Sequence, residues 1–164
     1  LRAGLDERNW THRNTCPAIG ILPLSGTEWS MYVSEHYGWS DNRLRRLSVR
    51  PWGFASIGAG HRGGTVDTCA MRFAALQLRL NFSTSAVGSV RVEIGDEEGR
   101  ALPGFALDDM DPLYGDQLDE PISWKGGGDL SALIRTPVRL RFELRDADVF
   151  SLRFADPDEG GQSN

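Results

Sequence analysis

The sequence predicts an all-β chain, an antiparallel β-sandwich of jelly-roll or concanavalin-like kind with about ten strands. Three observations carry that expectation. In residues 76–82, Leu76, Leu78, Leu80 and Phe82 alternate with Gln77, Arg79 and Asn81, the period of two that a half-buried strand requires. After Ser83-Thr84-Ser85-Ala86-Val87-Gly88 the alternation resumes with Val90, Val92 and Ile94 against Arg91 and Glu93, so residues 76–94 read as a β-hairpin with one wet face. The chain closes in the same way: Val138, Leu140, Phe142 and Leu144 alternate with Arg139, Arg141, Glu143 and Arg145, and Asp146-Ala147-Asp148 leads into Phe150, Leu152 and Phe154. Two such hairpins cannot bury their apolar faces alone, and packing them face to face gives a sandwich.

The other elements follow in chain order. Residues 1–17 are polar without a period and read as a loop or arm, and residues 18–24 as a short apolar strand ended by Pro23 and Ser25-Gly26. Trp29, Met31 and Val33 alternate with Glu28, Ser30, Tyr32 and Ser34, which predicts a strand over 28–35. Gly38 to Asn42 is a turn, 43–50 a strand, 52–59 a strand after Pro51, and 65–70 another. Gly95-Asp96-Glu97-Glu98-Gly99 is a hairpin loop. Residues 108–119 are acidic and kept irregular by Pro112 and Gly115, 122–124 is a short strand, and Asp129 caps one helical turn over 129–134. The division expected is an arm with possible remnant strands of a preceding domain over 1–42, the sandwich over 43–155, and a disordered tail over 156–164.

With 164 residues, 40% of them hydrophobic, the chain can bury one good core. Its net charge of -5 argues against a nucleic-acid partner. Arg43, Arg45, Arg46 and Arg50 interleave with Leu44, Leu47 and Val49 and read as the solvated face of a strand. No apolar run reaches membrane-spanning length, so no membrane partner is expected. Residues 1–13 are polar and no initiator Met is present, so the chain reads as a piece of a longer protein whose localisation signal lies upstream. Cys16 and Cys69 are too few for a disulfide scaffold and are expected as two buried thiols.

Chemistry could sit in two places. Sugar sites hold rings against exposed aromatic faces with a few placed polar groups. Trp39, beside Tyr37, Asp41 and Asn42 in a turn, fits that pattern, with Tyr114 in the acidic loop as a further aromatic. Trp29, Trp52 and Trp124 fall at strand positions and are expected in the core. The acidic loop carries Asp108, Asp109 and Asp111, oxygen ligands of the type Ca²⁺ takes, although without the register of an EF-hand. Glu28 and Glu35 lie seven apart, which on one strand points them to opposite faces and does not make a catalytic carboxylate pair. His12, His36 and His61 share no metal spacing and are assigned no role beyond a structural or surface one.

The segments RLRRLSVRPWGFASI, LRLNFSTSAVGSVRVEI, GRALPGFALDDMDPLYGDQLDEPISWKG and LIRTPVRLRFELRDADVFSLRF resemble the C-terminal β-sandwich region of bacterial glycoside hydrolases built on a five-bladed β-propeller, relatives of glycoside hydrolase family 32. The resemblance covers most of residues 28–154. It implies a non-catalytic accessory module that packs against and stabilises a catalytic propeller, upstream or in trans, in a bacterial secreted or periplasmic setting. An alternative is that the module binds oligosaccharide itself, and a second is a stand-alone glycosidase. No catalytic residue transfers, because such enzymes draw their carboxylates from propeller blades that this chain does not match.

Overall fold

The computed structural model describes residues 4–10 and 16–157. The expected tail beyond residue 157 lies outside the described residues. Among them the chain is all-β with antiparallel pairing throughout, nine strands and three short 3-10 turns. Among the described residues no helix is long and apolar enough to cross a membrane. The chain divides into two compact units between Pro51 and Trp52.

The first unit holds a 3-10 turn at Glu7–Trp10 and strands β1 (Cys16–Pro17), β2 (Leu22–Pro23), β3 (Trp29–Glu35) and β4 (Arg43–Val49). β3 is its spine. β4 pairs along the whole of one edge, from Trp29 opposite Val49 to Glu35 opposite Arg43. The short β1 and β2 share the other edge, at Ser34 and Ser30 respectively. The Gly38 to Asn42 segment is a turn, as expected, and it lets β3 and β4 pair, so Arg43–Val49 falls within the first unit. Among the described residues β4 pairs only with β3, and its arginines charge the other edge, which discourages edge-to-edge association.

The second unit is a five-stranded, curled half-barrel. Its strands are β5 (Ile57–Ala59), β6 (Gly64–Asp67), β7 (Gln77–Gly95), β8 (Asp116–Pro121) and β9 (Arg139–Ala155). β7 runs 19 residues and β9 runs 17. Here the two expected hairpins are corrected: each is one long bent strand, and the two pair with each other edge to edge instead of packing face to face. The polar residues that look like hairpin turns meet at one corner. Pairing holds to Thr84 opposite Ala147 and resumes at Ser89 opposite Arg145, so four residues of β7 oppose Asp146 alone. Asp146 adopts φ 41°. A bulge of this kind raises the local twist and curls the sheet.

Since β7 and β9 share register, their apolar alternations coincide: Val90 lies opposite Leu144, Val92 opposite Phe142 and Ile94 opposite Leu140. That face is closed by Phe73, Met110, Ile122, Trp124, Leu130 and Val138 from the connecting segments. On the other face Arg91 pairs with Glu143, and Arg141 with Asp67. β5 and β6 take the outer edge of β9, and β8 takes the far edge of β7.

Several local expectations change. Ile57–Ala59 is the only strand within 52–59, since Trp52 sits at φ 55° in a turn and is exposed, not core. Trp124 is buried as expected, its indole N–H donating to the Val92 carbonyl at 2.9 Å. Residues 116–121, not 122–124, form β8. The expected Asp129 N-cap is corrected: the 3-10 turn is Ser131–Leu133 with Leu130 at its N-cap and no side-chain cap, and Asp129, one residue earlier, accepts from the Ser131 amide at 2.8 Å. Cys69 is an exposed free thiol, not a buried one.

Candidate functional site

The richest polar cluster of the first unit sits at the turn between β3 and β4. β3 ends at Glu35, and His36 then takes φ 55°, a left-handed conformation uncommon outside glycine. Gly38 follows at φ 85°. Two successive turns close the loop, with the Trp39 amide donating to the His36 carbonyl at 3.0 Å and the Asn42 amide to the Trp39 carbonyl at 3.1 Å. The tight reversal turns the His36 ring inward: its side chain is 5% exposed, while Tyr37 and Trp39 remain 56% and 48% exposed.

Both ring nitrogens of His36 meet carboxylates. Nδ1 lies 2.8 Å from Asp41 Oδ2 and Nε2 lies 2.7 Å from Asp6 Oδ2. A carboxylate only accepts, so the two contacts are satisfied together only when both ring nitrogens carry a proton, that is, when the ring is an imidazolium. Consistently, the hydrogen bond to Asp6 raises the His36 pKa above its ordinary 6.5, against the opposing effect of burial. Asp6 and Asp41 are both held below the ordinary 3.8, Asp6 mainly by its bond to His36. For Asp41, desolvation acts upward but is outweighed by the bonds from His36 and Arg8. An imidazolium bracketed in this way cannot act as a general base.

The segment carrying Asp6 is tied down at three more points. Asn9 Oδ1 accepts from the His36 amide at 2.9 Å. An Arg8 Nη1 proton is shared with Asp41 Oδ2. The Arg8 guanidinium also lies 5.7 Å from the centre of the Trp39 ring, within cation–π range. Just below, Glu35 is buried and accepts from Arg43 at 3.0 Å and Arg45 at 2.9 Å, and these bonds, Arg45 first, lower its pKa below 4.5 despite its burial.

Of the expected sugar-binding residues, the turn thus brings together Tyr37, Trp39, Asp41 and Asn42. Their roles differ from the expectation. Asp41 Oδ2 is occupied by His36 and Arg8, Asn42 Oδ1 accepts from Ser34 Oγ at 3.4 Å, and one side of Trp39 faces Arg8. Tyr114 lies in the second unit, exposed, between Leu113, which bridges to Val90, and Gly115. Sequence reasoning missed Asp6, Arg8, Asn9 and His36, which come together across about thirty residues with no local period to betray them.

The acidic loop does not assemble a cation cage. Asp108 is fully exposed, Asp109 Oδ2 accepts from the Ala106 amide at 3.2 Å, and Asp111 is exposed. Two carbonyls that could serve an ion are taken by Lys125: its ammonium donates to Asp108 O at 2.6 Å and its amide to Asp109 O at 2.7 Å. Among the described residues no group of three or more His, Cys, Asp or Glu is placed to hold a metal.

The chain matches no family model, no curated protein and no solved structure.

Proposed function

We propose that this chain is a non-catalytic accessory module of a glycoside hydrolase, acting through its surfaces on a catalytic propeller. The observation that carries the reading is the state of five bound carboxylates. Glycoside hydrolysis needs a carboxylic acid kept protonated by a raised pKa next to a second carboxylate. Asp6, Glu35, Asp41, Asp96 and Asp119 all move the other way, each bound to a cation or backbone amide. Such carboxylates stabilise a fold and do not donate protons. The resemblance of residues 28–154 to the sandwich region of propeller glycosidases supplies the partner class. The finer architecture, a jelly-roll or concanavalin-like β-sandwich of about ten strands, belongs to this reading. So does a bacterial secreted or periplasmic setting. Trp52, Phe54 and Ile57, all exposed, offer the apolar surface that packing against a catalytic domain uses.

The second reading, that the module itself binds oligosaccharide, is favoured by the half-exposed Trp39 beside Tyr37 on the β3–β4 turn. Intrinsic Trp fluorescence, titrated with fructans, arabinans and sialylated glycans, tests it. A saturable shift lost in Trp39→Ala supports this second reading, and a flat response leaves the packing role. Hydrolysis of any of these glycans by the chain, abolished in Glu35→Gln or Asp119→Asn, overturns the non-catalytic proposal.

A further inference from the structure

The contacts that hold residues 4–10 against the β3–β4 turn converge on one ring. Asp6 binds Nε2 of His36, Asp41 binds Nδ1, and Asn9 binds the His36 amide. Arg8 shares the same Asp41 oxygen and covers one side of Trp39. We propose that residues 4–10 form a strap latched across the turn by the His36 imidazolium, and that loss of one ring proton to solvent releases the Asp6 end and uncovers the Arg8-facing side of Trp39.

Geometry selects which contact breaks. A neutral imidazole has one N–H and one lone pair, so it can satisfy only one of the two carboxylates and repels the other. Asp41 is in the same turn as His36, so its contact with Nδ1 does not depend on the strap, and its Oδ1 is buried without a hydrogen-bond partner. Keeping the proton on Nδ1 therefore costs least. Nε2 is left with a lone pair facing the Asp6 carboxylate, and Asp6 lies about thirty residues from His36, on residues 4–10 and not on the turn itself.

The charged groups around the ring are Asp6 and Arg8 from the strap, Asp41 from the turn, Glu35 at the end of β3, and Arg43 and Arg45 from β4. Arg43 and Arg45 are engaged with Glu35, and Arg43 also lowers the pKa of Asp6 from a distance. The sign of the response follows. A His whose folded pKa is raised stabilises the latched form fully below about 6.5, and this is lost as pH rises through the raised value. On the acid side the latch weakens only when Asp6 and Asp41 protonate, below their ordinary 3.8. The strap is thus closed in mildly acidic solution and opens toward alkaline pH, whatever the Trp39 face binds.

The test is an NMR titration of the full chain from about pH 5 to about pH 9, following the His36 ring, the Trp39 ring and the amides of Asp6 to Asn9. In parallel, trypsin cleavage after Arg8 is measured relative to an unstructured peptide of the same local sequence. The expected result is one midpoint above 6.5 shared by all three sets of signals, with relative cleavage rising by up to about tenfold per pH unit through it. His36→Asn, which tolerates the left-handed backbone and does not titrate, should show the open-strap Trp39 signals at every pH. Asp6→Asn, on the strap itself, should lower the His36 midpoint and increase cleavage at low pH, a readout that stands even if His36→Asn fails to fold. A His36 midpoint at or below 6.5, a midpoint that Trp39 and the strap amides do not follow, or an Asp6→Asn variant with both readouts unchanged would overturn the proposal.

Discussion

Gly88 of β7 lies directly against the backbone of Asp146 in β9: a Cβ at position 88 would overlap the Asp146 carbonyl oxygen and come within 2.7 Å of the Arg145 carbonyl. This contact is the inside of the corner where both long strands bend. The close approach needs a residue with no side chain, and the corner is what turns a flat pair of strands into a half-barrel.

Gly88→Ala should therefore lower stability by about 1–3 kcal/mol, because the obstructing atoms are backbone and cannot swing away. Gly126→Ala, where an added Cβ meets nothing within 4 Å, should change it little. Chemical denaturation of both variants checks the contrast.

Trp124 packs edge-on to Phe105, with ring centres 5.2 Å apart, and donates to the Val92 carbonyl. Trp124→Phe keeps an aromatic in the core but removes the donor. The expected loss is about 1–3 kcal/mol, the usual consequence of leaving a buried carbonyl unsatisfied, with the far-UV signature of the sheet retained.

Arg79 and Arg153 stand directly opposite each other in the β7–β9 ladder, an arrangement that is repulsive by itself. Asp119 of β8 bridges them, with Oδ2 accepting from Arg79 at 2.8 Å and Oδ1 from Arg153 at 2.8 Å. Asp119→Asn should destabilise by about 1 kcal/mol at low salt, since the three groups are partly exposed. Adding Arg153→Gln should restore part of the loss, and a double-mutant cycle measures the coupling.

Much of this was readable in advance. The alternations in 76–94 and 138–154 predict which residues are buried, and Leu78, Leu80, Val90, Val92, Ile94, Leu140, Phe142 and Leu144 are indeed core. What the alternation cannot say is whether a polar interruption reverses the chain or merely bends it. Ser85 to Gly88 and Asp146 look like turns in isolation and become a corner only because they face each other across the ladder, a long-range fact. The same limit applies to the site. The Tyr37 to Asn42 turn was legible from its residues, whereas the Asp6–His36–Asp41 arrangement depends on a segment about thirty residues away.

Acid should destabilise the fold through several carboxylates at once. Asp6, Glu35, Asp41, Asp96 and Asp119 have folded pKa values below their ordinary ones. Each contributes stability present above its ordinary value and lost as pH falls through the lowered one. The melting temperature, followed by circular dichroism from about pH 6 to about pH 2, should stay level at first and then fall below about pH 4. Asp119→Asn should fall less steeply over the same interval.

The most direct test of the accessory-module account adds this chain to a family 32-like catalytic propeller from which its own sandwich has been removed, and follows the propeller's melting temperature. The account predicts a saturable rise, diminished by Trp52→Ser, with no hydrolysis by the chain alone. An unchanged propeller together with glycan hydrolysis by the isolated chain would contradict it.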